Sequence, residues 1–226
     1  MPMQAGWRVL LNRALLHPAA KPLGWLLALA PLAWLLSGAV QGRLSANPAE
    51  ALIRGSGDWA LRLLCLALAV TPLREALGLT ALARWRRLAG LFAAFYAGLH
   101  FLAYAWLDQG LLLADILRDI AKRPFILVGS AALLILLPLV ATSTHRAQRA
   151  LGARRWQALH RSVYAVAGLA LLHFFWMRAG KNDFAEWSIY AALLAALLGW
   201  RLMRRLRARR VRSSHAAAPA ATGPHA

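Results

Sequence analysis

Trp156-Gln-Ala-Leu-His160 and His173-Phe-Phe-Trp176 bracket the stretch that decides how this chain is read. Between the two histidines, Ser162 to Leu172 is almost wholly apolar and rich in small residues: Ala165, Ala167, Gly168 and Ala170. As one helix, at ~1.5 Å rise per residue, it sets His160 and His173 roughly 20 Å apart along the axis. That is about two thirds of a ~30 Å hydrocarbon core, which puts one histidine near each membrane face. An ionisable residue inside a membrane helix is costly and marks a functional site by default. Neutral imidazole is a common metal ligand, and haem iron takes axial histidines. The alternative is a pair of interfacial histidines hydrogen-bonding between helices.

The rest of the chain supports a membrane setting. Hydrophobic residues make up 60% of the 226 positions and charged residues only 15%, so an ordinary soluble domain is excluded in favour of one compact integral membrane domain. The net charge of +19 does not point to nucleic acid, because the arginines flank apolar runs and fill the C-terminal tail. A basic tail of this kind can touch anionic lipid. The single cysteine, Cys65, excludes an internal disulfide and a cysteine-ligated cluster.

In chain order, residues 1–22 form a basic segment and a retained first span follows at about 23–40, interrupted by Pro31. Further spans are expected near 52–72, 88–107, 124–141, 159–177 and 184–203. Asn47-Pro48 reads as part of a turn, 108–123 as a loop with room for a short surface helix, and 142–158 as a basic loop. Residues 204–226 read as a basic tail, disordered toward its Ala/Pro/Gly/His-rich end. The fold class is thus all-α: a six-helix membrane bundle over 23–203. Lysines and arginines number 18 on the side holding 1–22, 73–87, 142–158 and 201–212, against 7 on the other, so both termini are placed in the cytoplasm.

Under that topology His100, late in span three, and His173, late in span five, reach the same depth in the outer half of the membrane. Two such histidines can grip one haem iron from opposite faces. His160 lies near the inner face and is the candidate ligand of a second, inner haem. Its natural partner position on span three is held by Arg86, a poor iron ligand. Thirteen residues rotate an ideal helix by about 220°, so His160 and His173 share no face unless the helix distorts, which Gly168 would ease. Arg62, one turn inside span two, is either a snorkelling arginine able to pair with Asp58 or a haem propionate contact. Arg86 is a second candidate for a propionate contact.

Several stretches resemble a known family. They are Asn47-Pro-Ala-Glu-Ala51, Gly57-Asp-Trp-Ala-Leu61, Thr71-Pro-Leu-Arg74, Arg86-Arg-Leu-Ala-Gly90, His100, Arg123-Pro124, and Leu136-Leu-Pro138 followed by Thr142-Ser143. The most specific is Leu151-Gly-Ala-Arg-Arg-Trp-Gln-Ala-Leu-His160-Arg-Ser-Val-Tyr164, ending at His173. Together they are similar to the MsrQ (YedZ) family of haem-binding membrane subunits of periplasmic methionine sulfoxide reductase systems. The resemblance covers most of residues 40–180. It implies b-type haem, one or two per chain, a ferric-reductase-like membrane domain shared with NADPH oxidases, and no fused flavin/NADPH domain. FMN binding, a bacterial inner-membrane location, and a heterodimer with a periplasmic molybdenum-containing catalytic partner are implied as well. His100, His160 and His173 match the family's haem histidines position by position. In the oxidase relatives each ligand helix carries two histidines, whereas span three here carries one.

The expected function is therefore an electron-transfer subunit rather than the catalytic one. Electrons enter from quinol or a reduced flavin, the latter supplied by a flavin reductase, and leave for repair of oxidised methionine. Two other classes stand beside it: a proton-coupled transporter using buried histidines and the Asp58/Arg62 pair, and a non-redox anchor or assembly protein. No sequence repeat and no midplane acid supports the transporter. The arginine asymmetry predicts that reporter fusions at Ala114 and Asn182 read as periplasmic and fusions at Ala150 and Ala218 as cytoplasmic. A cytoplasmic Ala114 in the intact, folded protein contradicts the common depth of His100 and His173.

Overall fold

The computed structural model describes residues 3–179 and 182–216, and within them the chain is helical with no strand. Helices α1 (Met3–Leu16) and α2 (Ala20–Val40) open it. The first docks on a 3-10 turn, Thr80–Arg84, where the Ala81 N–H donates to Asn12 Oδ1 at 3.0 Å.

Pro31 sits inside α2, and a neighbouring helix repairs the strain. The Tyr96 hydroxyl donates to the Ala28 carbonyl at 2.8 Å and accepts the Leu32 N–H at 3.1 Å. Those two backbone groups would face each other in an uninterrupted helix. Tyr96 is fully buried, so its hydroxyl has no competing water.

Helix α3 (Pro48–Leu77) starts where the sequence reading placed a turn. Asn47 caps it by accepting the Glu50 N–H at 3.2 Å, and Pro48 fills the first turn, where a missing N–H is no loss. It stops at Gly78, whose φ of 69° is the left-handed conformation of a helix end. Helix α4 (Trp85–Ala103) runs on into one π turn, Tyr104–Asp108. The short surface helix expected in 108–123 is α5 (Leu113–Lys122), and α6 (Pro124–Ala141) has the bounds read from sequence.

The basic stretch 142–158 is not a loop. Thr144 accepts the Ala147 N–H and starts α7 (His145–His160), which Gly152 breaks at φ 71°. Helix α8 (Val163–Ala179) follows, so His160 and His173 do not share one continuous helix. The distortion lies at Arg161–Ser162, where short-range backbone bonds tighten the turn, and not at Gly168. Helix α9 (Ala185–Ala216) carries the basic extension and also takes in residues 213–216, the start of the tail expected to be disordered over 213–226; the rest of that tail, 217–226, lies outside the described residues.

The two most extensive helix pairings are α3 with α4 and α6 with α8. They meet through Leu61, Leu64, Leu68, Ala93, Ala132, Leu136, Val166 and Ala167, and Leu194 of α9 closes the cluster. Alanines at these seams let the backbones approach, as membrane helices require. Among the described residues four segments are long and apolar enough to cross a membrane: Ala20–Val40, Thr80–Asp108, Pro124–Ala141 and His145–Ala179. Helices α3 and α9 have the length, at 30 and 32 residues, but carry Asp58, Arg62, Glu186 and Arg201 within it.

The Tyr96 contact yields a stability prediction. Tyr96→Phe leaves two buried backbone groups without their partner and should cost about 1–3 kcal/mol. Pro31→Ala lets those groups re-pair along α2, so the double variant should lose less than the two single losses added, read as melting temperatures of purified protein in one detergent. Strict additivity would mean that the hydroxyl does not serve the proline break.

Candidate functional site

Four helices surround one internal cavity of about 320 Å³. Its walls are mostly apolar: Leu61 and Leu64 of α3, Ala93 and Ala97 of α4, Leu133 and Leu136 of α6, Val166 and Ala170 of α8. At the end where α3 and α6 begin and α4 and α8 finish, the lining changes. Arg54, Asp58, Asp108, Arg123 and Arg178 gather there. Arg54 pairs with Glu50 at 2.6 Å, Arg123 with Asp119 at 2.9 Å, and Arg178 with Asp183 at 3.1 Å and with Glu186. Tyr104, on the π turn, donates to Asp119 at 2.8 Å and so ties the end of α4 to α5.

His100 and His173 both enter this cavity. Their ring centroids are 5.9 Å apart and the ring planes stand at 77°. Each Nδ1 lies 2.7 Å from a backbone oxygen, that of Ile53 for His100 and that of Phe125 for His173. A carbonyl only accepts, so each Nδ1 carries the proton and each Nε2 keeps its lone pair. Two Nε2 lone pairs are thus offered within one cavity. With a metal–nitrogen bond of about 2 Å, two imidazoles opposed across a single metal would have centroids roughly 6 Å apart. Among the described residues no three His, Cys, Asp or Glu side chains stand together as a protein-only metal centre. The donor set therefore fits a metal that brings its own equatorial ligands, as haem iron does. Gly57 and Gly129 fit the same picture, because a Cβ at either would come within 3.0 Å of an imidazole Nδ1. Ser130 Oγ, also on the cavity wall, is buried without a hydrogen-bond partner.

His160 is not brought to this cavity. Its Nε2 lies 3.0 Å from Thr142 Oγ1, and Trp156 stacks on its ring at 4.1 Å. The Thr142 hydroxyl is 2.6 Å from the Pro138 carbonyl, so donating there leaves it to accept from His160. The His160 Nε2 then carries the proton, the opposite arrangement to the other two histidines. Arg86 lies within electrostatic range of His160 and of Arg201. Arg62 is off the cavity: it bonds the Tyr190 hydroxyl at 3.1 Å, lies over the Trp59 ring and reaches Glu186 at 3.9 Å. It makes no ion pair with Asp58. The cations that do line the cavity are Arg54, Arg123 and Arg178, which sequence reasoning did not single out as site residues. As site residues, Gly57 and Arg123 were visible only as parts of family-like stretches, with no spacing that announced a role.

The class follows from comparison with known proteins. The family described as "Ferric reductase like transmembrane component" matches residues 56–171, a segment that includes Gly57, His100, Gly129 and His160. A relative from Polaromonas naphthalenivorans is 58% identical, covering 94% of this chain and 98% of its own length; it is named "Protein-methionine-sulfoxide reductase heme-binding subunit MsrQ". Relatives of the same name from Ralstonia nicotianae and Xanthomonas campestris pv. campestris are 53% and 44% identical, covering 79% and 93% of this chain and 82% and 92% of their own. No solved structure matches the chain. The chain belongs to the MsrQ family within the ferric-reductase-like transmembrane class.

Proposed function

We propose that this chain is a transmembrane electron conduit that binds b-type haem between His100 and His173. It passes electrons from quinol or reduced flavin to a periplasmic, molybdenum-containing methionine sulfoxide reductase subunit. The observation that carries the reading is the facing pair of imidazoles, each with its Nε2 free. The relatives' names support a methionine sulfoxide reductase partner and the haem; FMN and a bacterial inner-membrane location are part of the proposal through the resemblance alone. Bound there, haem supplies a one-electron carrier inside an otherwise insulating bilayer.

The residues divide the work by position. His100 and His173 would hold the haem, each through its Nε2. Leu61, Leu64, Leu133, Leu136 and Val166 exclude water from the cavity. Arg54, Arg123 and Arg178 lie on the cavity wall at the end the topology assigns to the outside, and are better placed for propionates than Arg62. His160 and Arg86 form the candidate inner site, where Arg86 either supports a second haem or only fixes topology. Reduction of a sulfoxide to a thioether and water takes two electrons and two protons, so the partner must be served twice per turnover. Six spans are proposed, with α3 and α9 among them, over residues 23–203. Their charges find partners among α3, α8 and α9: Arg62 bonds Tyr190 and Arg178 pairs with Glu186.

Purified protein supplied with haem should show a b-type Soret band, and its reduced haem should reoxidise faster when the periplasmic partner and a methionine sulfoxide are added. A colourless protein contradicts the conduit and favours a transporter or an anchor. A haem that ignores the partner contradicts the partner alone. His100→Ala and His173→Ala should each remove the same low-spin component, and the double variant should add little, since both act on one site. His160→Ala should act on a separate component and add to either. Loss of one component by His160→Ala and His173→Ala, with His100→Ala unaffected, would place the ligands elsewhere.

A further inference from the structure

The two cavity histidines are held by one device built twice. On α3 the Ile53 carbonyl takes the His100 Nδ1–H, and four residues later stands Gly57. On α6 the Phe125 carbonyl takes the His173 Nδ1–H, and four residues later stands Gly129. Each carbonyl lies 47 or 48 residues before the histidine it holds. In an α-helix the N–H that closes on a carbonyl comes from the residue four further on. Each glycine is therefore the residue lying beside the carbonyl, on the path by which the imidazole reaches that oxygen's second lone pair.

A side chain there would occupy the place of the ring. A Cβ at Gly57 would lie 3.0 Å from His100 Nδ1 and 3.1 Å from its Cε1. At Gly129 the distances to the same atoms of His173 are 2.9 and 3.1 Å. Other glycines of the ligand helices carry no such constraint: a Cβ at Gly98 on α4 or Gly168 on α8 meets nothing within 4 Å. The close approach is thus confined to the two helices that hold an imidazole without supplying one.

We propose that Gly57 and Gly129 are positioning residues, which let the Ile53 and Phe125 carbonyls fix the tautomer, plane and donor strength of the two axial imidazoles. This rests on the haem reading above. The physical consequence has two parts. A hydrogen bond from a ligand's far nitrogen raises its basicity and fixes its orientation. A more basic imidazole favours the ferric over the ferrous iron, so weakening the tie should raise the midpoint potential. Ring orientation has its own readout. Axial imidazoles crossed at a large angle, as the 77° here, leave two iron d orbitals close in energy, and the ferric EPR anisotropy reports that angle.

The test uses the full chain, purified with haem, as wild type and as Gly57→Ala, Gly129→Ala, Gly98→Ala and Gly168→Ala. Haem per protein, ferric EPR and midpoint potential are measured on each. The two control variants should match the wild type in all three. Gly57→Ala and Gly129→Ala should each raise the potential and shift the EPR signal. If Gly129→Ala does not accumulate as folded protein, Gly57→Ala decides by the same two readouts. Variants that bind haem with wild-type EPR and potential overturn the proposal, even if they melt earlier, because a purely structural glycine affects stability and not the iron. A wild type that takes up no haem overturns the functional reading instead.

Discussion

Two hydrogen bonds, Ile53 carbonyl to His100 Nδ1 and Phe125 carbonyl to His173 Nδ1, are the interaction on which the site depends. Without them each imidazole could adopt either tautomer and turn about its side-chain bonds. With them each ring has one free nitrogen and one direction. Because the acceptors are main-chain atoms of α3 and α6, the rings are tied to the scaffold and not to another movable side chain. The packing of α3 on α4 and of α6 on α8 is what brings acceptor and imidazole together, so the largest helix contacts and the site geometry are one constraint.

The charge distribution follows from the same four helices. Their outer ends by the arginine count, the start of α3 and α6 and the finish of α4 and α8, carry the arginines and carboxylates of the cavity. Farther in, the lining is leucine, alanine and valine. A charge in the apolar half would have no water and no partner. At the rim Arg54, Arg123 and Arg178 each keep an acidic neighbour. Tyr96 solves a related problem elsewhere, giving one hydroxyl to both backbone groups beside the Pro31 break.

Much of this was legible in the sequence. The all-helical class came from long apolar runs, and α6 came with its bounds because Pro124 marks its start. The common depth of His100 and His173 came from counting arginines, and the structure brings those two rings together. What was missed has physical reasons. Residues 142–158 are polar enough to look like a loop, yet Thr144 caps a helix there that packs little and buries none of its residues. The kink at Arg161–Ser162 is carried by backbone hydrogen bonds with no glycine or proline to announce it. Arg62 and Asp58 have the spacing of a helical ion pair, but Tyr190, 128 residues away in sequence, takes the guanidinium instead. Gly57 and Gly129 were unreadable as site residues, because a close approach depends on which helix lies opposite. The two carbonyl–glycine clamps repeat in backbone geometry and not in side-chain identity, so no sequence repeat betrays them.

The central claim is that His100 and His173 ligate one iron through their Nε2 atoms. Near-infrared magnetic circular dichroism of the ferric, haem-loaded protein tests it most directly, since the energy of its charge-transfer band identifies the axial pair. The account predicts a low-spin band at the bis-histidine position that disappears in His100→Ala and in His173→Ala alike. A high-spin five-coordinate spectrum in the wild type, or a bis-histidine band that survives either substitution, would contradict it.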